Sequence, residues 1–257
     1  MTVITPQRSG SELLPAADVT KARVDLAAAF RWFARLGMHE AVANHLSVAV
    51  SADGSKFLMN PRGRHFSRMK ASELLLLDAH DQATLSRSDA PDPTAWFIHG
   101  RLHALLPQAR CVMHLHPTYA TALASLEDST MLPIEQNTMR YYDRVAIDPD
   151  FGGMALDNDE GARLAAIMGN KPILMMGNHG IMVTASSIAF AFDEMYYFER
   201  AAQTLMLAYA SGRKLKVVPD QVARLTAKQW LDYPHLAEDH LAEVKAILDR
   251  EEPDYRD

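Results

Sequence analysis

The chain has 257 residues, 48% of them hydrophobic and 23% charged, a composition that excludes a disordered or fibrous protein. Its length favours one large domain over two. Because 26 lysines and arginines face 32 aspartates and glutamates, there is no basic excess of the kind that binds phosphate backbones, and nucleic acid is not expected as a partner.

The first part of the chain predicts a mobile segment, a helix and a β-hairpin. Residues 1–17 are rich in Ser, Pro and Gly without a period, which predicts a flexible N-terminal arm. From Asp18 to Leu36 apolar residues recur at helical spacing, and Gly37 stands at the usual C-cap position. The predicted hairpin comprises a strand over 43–50, a turn at Asp53-Gly54, a return strand over 56–59 and the closing loop Asn60-Pro-Arg-Gly63.

The remainder alternates helix and strand patterns. A helix is predicted from Thr94, an acceptable N-cap, to Leu105. Further helices are predicted over 121–126, 156–168 and 186–209, and strands over 111–116, 145–147 and 173–176. Since no repeat or linker separates these segments, the sequence predicts one α/β domain over 18–218, with a helical C-terminal tail over 219–257 that belongs to it.

The segment Val112-Met-His-Leu-His-Pro117 contains the strongest candidate metal ligands. His114 and His116 lie two residues apart, so in a strand they project from the same face and can bind one ion. A single strand histidine is more often a core or surface residue, and the pair needs a third ligand. His179 is the candidate, although a plain hairpin turn explains the segment Asn178-His-Gly180 equally well.

His99 and His103 share one face of the helix predicted from Thr94. Two histidines at this spacing can also meet on a metal, but no adjacent glutamate completes a His-Glu-x-x-His motif. Histidine is the side chain most easily tuned to exchange protons near pH 7. We therefore predict that His99 or His103 is the catalytic proton-transfer group beside the metal.

Five motifs in order resemble the class II aldolase and adducin head-domain family over roughly Asp18 to Ala210. They are Asn44-His-Leu-Ser47, Asn60-Pro-Arg-Gly63, Phe97-Ile-His-Gly-Arg-Leu-His103, His114-Leu-His-Pro117 and Asn178-His-Gly-Ile181. The resemblance implies a single-domain, three-layer α/β/α fold with a central, mostly antiparallel sheet. It also implies a homotetramer with active sites between neighbouring subunits. At the matching positions, His114, His116 and His179 are implied to bind a divalent metal, zinc first, with manganese and iron as alternatives.

The departures from the family pattern bear on the substrate. Sugar-phosphate aldolases of the family carry a Ser-Ser-Glu run whose Glu serves as acid and base, and Pro93-Thr-Ala95 stands in its place. An asparagine of the family's early loop aligns with His45. A phosphorylated sugar is therefore not favoured. The candidate substrate-binding residues are His45, Asn60, Arg62 and Gly63, with Arg62 and the amides near Gly63 suited to a phosphate or carboxylate; a solvated loop arginine is the alternative.

Tyr142 is a further catalytic candidate. The segment Arg140–Arg144 corresponds to one that passes near the pocket in family members, so Tyr142 is a candidate proton donor. Ordinary packing of this tyrosine is the alternative.

These residues predict a divalent-metal-dependent lyase that breaks a C–C bond of a small carbonyl or carboxylate substrate through a metal-stabilised enolate. The missing glutamate favours decarboxylation over aldol cleavage, because loss of carbon dioxide needs only late protonation of the enolate. Two alternatives stay open. Three nitrogen ligands with open positions also suit an iron-dependent oxygenase, and adducin-type relatives suggest a non-catalytic binding or scaffold module.

The sequence also predicts a soluble, cytoplasmic protein without a membrane partner. Cys111 is the single cysteine, so no intrachain disulfide can form. No segment approaches the roughly 18–20 apolar residues of a membrane-spanning helix. The first residues lack a basic stretch followed by an apolar one, so they do not resemble a signal peptide.

Overall fold

The computed structural model of the protein describes residues 10–154, 156–233 and 235–257. Within these residues, helices and strands alternate along the chain. The helices are α1 (Ala16–Arg35), α2 (Pro93–Leu105), α3 (Thr118–Ala124), α4 (Gln136–Arg140), α5 (Asn158–Met168), α6 (Ile188–Ala210), α7 (Asp220–Leu231) and α8 (His235–Glu251). The strands are β1 (His45–Ala49), β2 (Lys56–Met59), β3 (Leu75–Asp78), β4 (Cys111–Leu115), β5 (Val145–Asp148), β6 (Ile173–Met176) and β7 (Gly180–Ala185).

The seven strands form one sheet in the order β3-β2-β1-β4-β7-β6-β5. Every neighbouring pair is antiparallel except β5 and β6, which are parallel. The register of β1 on β4 places His45 directly opposite His114. Because directly opposed residues project from the same face of a sheet, these two imidazoles lie side by side.

Helices cover both faces of the sheet, which gives three layers. Alternate residues of β1 face opposite layers, as expected for a strand. Leu46 and Val48 belong to the larger core, together with apolar residues of α1, α3, α6 and α8. His45 and Ser47 face α2, whose apolar residues pack with those of α5 in a second cluster. The predicted three-layer α/β/α fold with a mostly antiparallel sheet is confirmed.

Several helix starts differ from the sequence predictions, and for α2 and α3 the hydrogen bonds give the reason. Helix α2 begins at Pro93, because Asp92 is the N-cap and accepts a hydrogen bond from the amide of Thr94; proline is favoured at a first helical position, where its missing N–H costs nothing. Helix α3 begins at Thr118, directly after Pro117. Its first-turn amides at Tyr119 and Ala120 donate to the carboxylate of Glu199, a cap from another helix that local sequence does not reveal.

Both chain ends contact the sheet or its helices where they are described. Of the predicted arm, residues 10–15 run beside the end of β1, where the amide of Leu14 donates to the carbonyl of Val50 at 2.8 Å, and α1 starts at Ala16. At the other end, α8 buries Leu241, Val244 and Leu248 in the larger core. No helix within the described residues is long and apolar enough to cross a membrane.

Candidate metal centre

The three predicted histidine ligands come together at one end of the sheet. His114 is on β4, His116 follows the end of that strand, and His179 lies in the short loop between β6 and β7. One ligand atom from each lies within 4.8 Å of the others, and each pair of rings has its centroids 4.8 Å apart. The structure therefore brings together three side chains that are up to 65 positions apart in the sequence.

The loop that carries His179 depends on its neighbours. Asn178 adopts a positive φ of 54°, a left-handed conformation that asparagine tolerates better than most residues. A Cβ at Gly180 would lie 2.5 Å from Cδ2 of His116 and 2.8 Å from the carbonyl oxygen of Leu115. Gly180 thus permits the close approach of the loop to β4. The segment is a hairpin turn and also carries the third histidine, so the two interpretations of the sequence are compatible.

The hydrogen bonds of His114 and His116 fix which ring nitrogens face each other. Nδ1 of His114 donates to the carbonyl of Ile181 at 3.0 Å, and Nδ1 of His116 donates to the carboxylate of Glu40 at 2.8 Å. In neutral rings, both Nε2 atoms then carry lone pairs, and these atoms lie 3.0 Å apart. Two lone pairs at this distance repel unless a cation lies between them. The donor set therefore fits a divalent metal ion.

The protonation of the cluster also suits a metal. Burial lowers the pKa of His114 well below its usual value. Burial and then the neighbouring His116 lower the pKa of His179 to about 4, although Glu40 and Glu160 oppose this shift. Neutral imidazole is the form that binds metals, so His114 and His179 need not lose a proton at neutral pH to do so.

A cavity of about 200 Å³ opens in front of the three histidines. Its polar lining includes His45, Arg62 and Asp92, and its apolar lining includes Ile98 and Phe151. The Phe151 ring lies 5.6 Å from the ring of His179. The cavity thus places the Arg62 guanidinium and an apolar surface beside the candidate metal centre.

Of the predicted substrate-binding residues, Asn60 lines the cavity and Gly63 does not. Oδ1 of Asn60 accepts from the amide of Leu46 at 3.2 Å, and its Nδ2 donates to the carbonyl of Asn44 at 3.3 Å. Asn60 lines the cavity but ties its loop to the start of β1. Gly63 has a φ of 75°, is exposed and is not among the described residues that line the cavity.

The structure places both candidates for the proton-transfer group, His99 and His103, beneath the cavity rather than in its lining. Both rings face the sheet, where they are 0% and 3% exposed, and neither is among the described residues that line the cavity. The shared helical face was predicted correctly, but that face packs on β1. His45, which hydrogen-bonds His99, stands between α2 and the cavity.

Tyr142 is likewise not at the cavity of its own chain. It follows α4, and its ring lies 5.2 Å from the Arg224 guanidinium of α7. The described residues that line the cavity do not include it. The preceding Tyr141 is buried, and its hydroxyl donates to the carbonyl of Glu194 at 2.9 Å. Within one chain, the predicted proton donor therefore contacts another helix.

Two contributing residues were not predicted. Ser47 hydrogen-bonds both His99 and His103, and its position two residues after His45 on a strand was a usable signal for a shared face. Glu40 orients His116 from 76 positions earlier in the chain. No local pattern indicates such a contact, because only the fold brings the loop after α1 to the end of β4.

The sequence of this chain is similar to those of several known proteins. The family described as Class II Aldolase and Adducin N-terminal domain matches residues 24–206. A Caulobacter vibrioides protein, provisionally named as a class 2 aldolase, is 29% identical over 239 residues, 92% of either chain. Decarboxylase NovR of Streptomyces niveus is 27% identical over 224 residues, 84% of this chain and 82% of the relative.

A solved structure covers almost the whole molecule. The aldolase II superfamily protein from Pseudomonas syringae aligns with a TM-score of 0.83 and 27% identity, over 99% of this chain and 98% of the other. Both the sheet and its covering helices are therefore shared with a member of this superfamily. The chain belongs to the class II aldolase and adducin N-terminal domain family.

Proposed function

We propose that this protein is a divalent-metal-dependent lyase that breaks a C–C bond of a small carboxylate substrate, with decarboxylation favoured over aldol cleavage. The observation that carries the proposal is the pair of Nε2 atoms of His114 and His116, which face each other 3.0 Å apart beside His179. Among the described residues no fourth ligand joins these three, and the cluster opens to a cavity. Three protein ligands with an open position are typical of catalytic metal sites.

His114, His116 and His179 would hold the ion, which we propose to be zinc, with manganese or iron as alternatives. When bound, such an ion supplies a Lewis acid that stabilises negative charge developing on a substrate oxygen. The contributions of the protein are the orientation of His116 by Glu40 and of His114 by the Ile181 carbonyl. Contacts of this kind hold metal ligands in one tautomer and one orientation.

The cavity lining supports a compact anionic substrate. Arg62 is exposed and forms no ion pair among the described residues, whereas Arg64 hydrogen-bonds Glu73. A guanidinium suits a carboxylate because two N–H groups can bind its two oxygens. Ile98 and Phe151 offer an apolar surface for the rest of the substrate. The Thr94 hydroxyl already donates to Asp92 at 2.6 Å, so this position adds little to binding a phosphate.

The choice of decarboxylation depends on the missing glutamate. Ala95 stands at the position of the family acid and base, and it is buried in α2. Aldol cleavage needs a base for the hydroxyl proton, whereas a decarboxylation needs a proton only after carbon dioxide has left. The relative named Decarboxylase NovR supports the same choice.

The test compares reconstituted wild type with the His179→Ala variant. Protein freed of metal by a chelator is loaded with zinc, manganese or Fe(II) and incubated with oxaloacetate and other small β-keto acids. Carbon dioxide, carbonyl products and oxygen uptake are measured, and His179→Ala supplies the background due to free metal. We expect product formation that requires metal and is lost in the variant.

The other outcomes identify the alternatives. Full activity in metal-free protein would overturn a metal-dependent lyase. Oxygen uptake with iron and substrate would favour the oxygenase. Failure of the metal-free protein to bind zinc, manganese or iron would favour an adducin-like binding module. Each result is obtained from the same preparation.

We also propose a homotetramer located in the cytoplasm. Members of the family are often tetramers with small-molecule substrates. Tyr142 lies outside the cavity of its own chain, which suits contact with the site of a neighbouring subunit. Light scattering coupled to gel filtration measures the assembly, and a mass of one chain would contradict it.

A further inference from the structure

Beneath the cavity, four side chains and one carbonyl form a continuous hydrogen-bonded chain. Nδ1 of His45 lies 2.7 Å from Nε2 of His99, and Nδ1 of His99 lies 2.5 Å from Oγ of Ser47. Ser47 Oγ lies 2.7 Å from Nε2 of His103, whose Nδ1 lies 2.6 Å from the carbonyl oxygen of Ala109. All four side chains are buried, with 0–7% exposure. The hydrogen bonds between these groups are therefore shielded from bulk water, and only His45 also lines the cavity.

The Ala109 end of this hydrogen-bonded series determines the direction of every hydrogen bond in it. The Ala109 carbonyl only accepts, so Nδ1 of His103 carries the proton and its Nε2 accepts from the Ser47 hydroxyl. Ser47 has a single proton, so its oxygen must accept from Nδ1 of His99. Nε2 of His99 then accepts from Nδ1 of His45. When all three imidazole rings are neutral, Nε2 of His45 is left with a lone pair.

The opposite direction is unfavourable. It would require Nε2 of His103 to donate to Ser47, which leaves a lone pair on Nδ1. That lone pair would face the Ala109 carbonyl oxygen at 2.6 Å. A buried repulsion of this kind costs more than an ordinary lost hydrogen bond.

Burial also keeps the imidazole rings of this series neutral. It lowers the pKa of His103 to about 4, although the hydrogen bond to Ala109 opposes the shift. Burial and the neighbouring His45 and His103 lower the pKa of His99 well below its usual value. Each of these rings therefore carries one proton at neutral pH, as the assignment of directions requires.

The free nitrogen of His45 lies on the cavity side of its ring. Nδ1 points toward His99 beneath the cavity, and within the described residues Nε2 has no hydrogen-bond partner. His45 lines the cavity and lies opposite His114, with ring centroids 4.9 Å apart. A ligand bound at the histidine cluster is therefore next to this nitrogen.

We infer that His45 presents an unprotonated Nε2 as a hydrogen-bond acceptor for a hydroxyl group of the substrate, and that His99, Ser47 and His103 are positioning residues that hold this tautomer. The assignment of the ligand as a substrate rests on the proposed function, whereas the tautomer of His45 does not. A hydroxyl donates to such a nitrogen, whereas an ether or carbonyl oxygen at the same point has no proton to share. The substrate class thereby narrows to small carboxylates that also carry a hydroxyl group, such as hydroxylated β-keto acids.

The tautomer is tested by nitrogen NMR of protein labelled with ¹⁵N-histidine, with the His45 signals assigned by their loss in His45→Asn. We expect Nδ1 protonated and Nε2 unprotonated for His45 in wild type. Ser47→Ala should raise the population of the Nε2–H tautomer of His45, and Ser47→Thr, which keeps the hydroxyl, should restore the wild-type signals. A protonated Nε2 in wild type, or an unchanged tautomer in Ser47→Ala, would overturn the inference. Neither result depends on metal or activity.

The ligand class is tested with glycolate and methoxyacetate, which differ in one O–H group. Calorimetric titration of zinc-loaded wild type should give an affinity for glycolate about tenfold higher, because methoxyacetate leaves the acceptor unpaired. The ratio should fall in Ser47→Ala. Equal affinities, or binding of neither acid, would overturn the hydroxy-acid assignment. Failure to bind zinc would count against the proposed function while leaving the tautomer result intact.

Discussion

The carboxylate of Glu40 accepts a 2.8 Å hydrogen bond from Nδ1 of His116, 76 positions later in the chain. The Glu40 side chain is 60% exposed, so solvent screens its effect on folding stability. Its effect on His116 is different, because the contact fixes the tautomer that leaves Nε2 free toward His114. An exposed carboxylate thus orients a candidate metal ligand.

Replacement of Glu40 with alanine is expected to weaken metal binding by about 10–100-fold, the usual effect of losing a group that orients a ligand. The unfolding free energy of metal-free protein should change by less than about 0.5 kcal/mol. Chelator competition measures the first quantity and urea unfolding the second. Glu127→Ala is the control, since Glu127 is exposed and is not among the described residues that line the cavity; equal metal affinities in the two variants would contradict the role of Glu40.

Gly180→Ala is expected to abolish metal binding and to lower the unfolding free energy by about 1–3 kcal/mol, the usual cost of overpacking. The added Cβ would meet the His116 ring at 2.5 Å and the Leu115 carbonyl at 2.8 Å. The matched control is Gly152→Ala, because a Cβ there meets no atom within 4 Å. Elemental analysis and urea unfolding provide the measurements, and a Gly180→Ala protein with full metal content would disprove the steric argument.

Stability of the metal-free protein is expected to fall as the pH drops below about 6.5. Burial lowers the pKa of His103 in the folded state to about 4, while an unfolded histidine titrates near 6.5. Between these values the unfolded state binds more protons, so acid favours unfolding and His103 contributes a loss of about 2 kcal/mol from pH 7 to pH 5. Urea unfolding at both pH values measures it.

The variants that test this slope are His103→Gln and His80→Gln. The first removes one buried titrating group and should flatten the dependence of unfolding free energy on pH. The second replaces an exposed histidine and should leave the dependence as in wild type. Identical slopes in all three proteins would show that His103 does not titrate as its burial requires.

Arg62→Ala is expected to weaken glycolate binding to the zinc-loaded protein by about tenfold or more, which is the usual value of a charge-assisted hydrogen bond. Arg64→Ala is the matched control, because Arg64 hydrogen-bonds Glu73 at 3.0 Å rather than lining the cavity. Calorimetry gives both affinities. A larger loss in Arg64→Ala would place the anion site elsewhere in the loop.

Much of the fold was predictable because its signals are local. The return strand over 56–59 matches β2 residue for residue, and the strand predicted over 173–176 matches β6. The short helix α4 was not predicted, since five residues provide too little periodicity. The alternation of β1 placed His45 and Ser47 on one face, but did not indicate which helix would cover them.

By itself, the sequence determined the alternation of helices and strands and the shared face of His114 and His116, because these features follow from the spacing of neighbouring residues. The three-layer fold and the place of His179 in the candidate metal centre were implied by the resemblance to the family. Only the tertiary structure decided which histidine reaches the cavity. The register of β1 on β4 and the packing of α2 on that face placed His45 beside His114 and buried His99 beneath it. These contacts join residues more than fifty positions apart, so the free energy of packing, rather than any local pattern, assigned their roles.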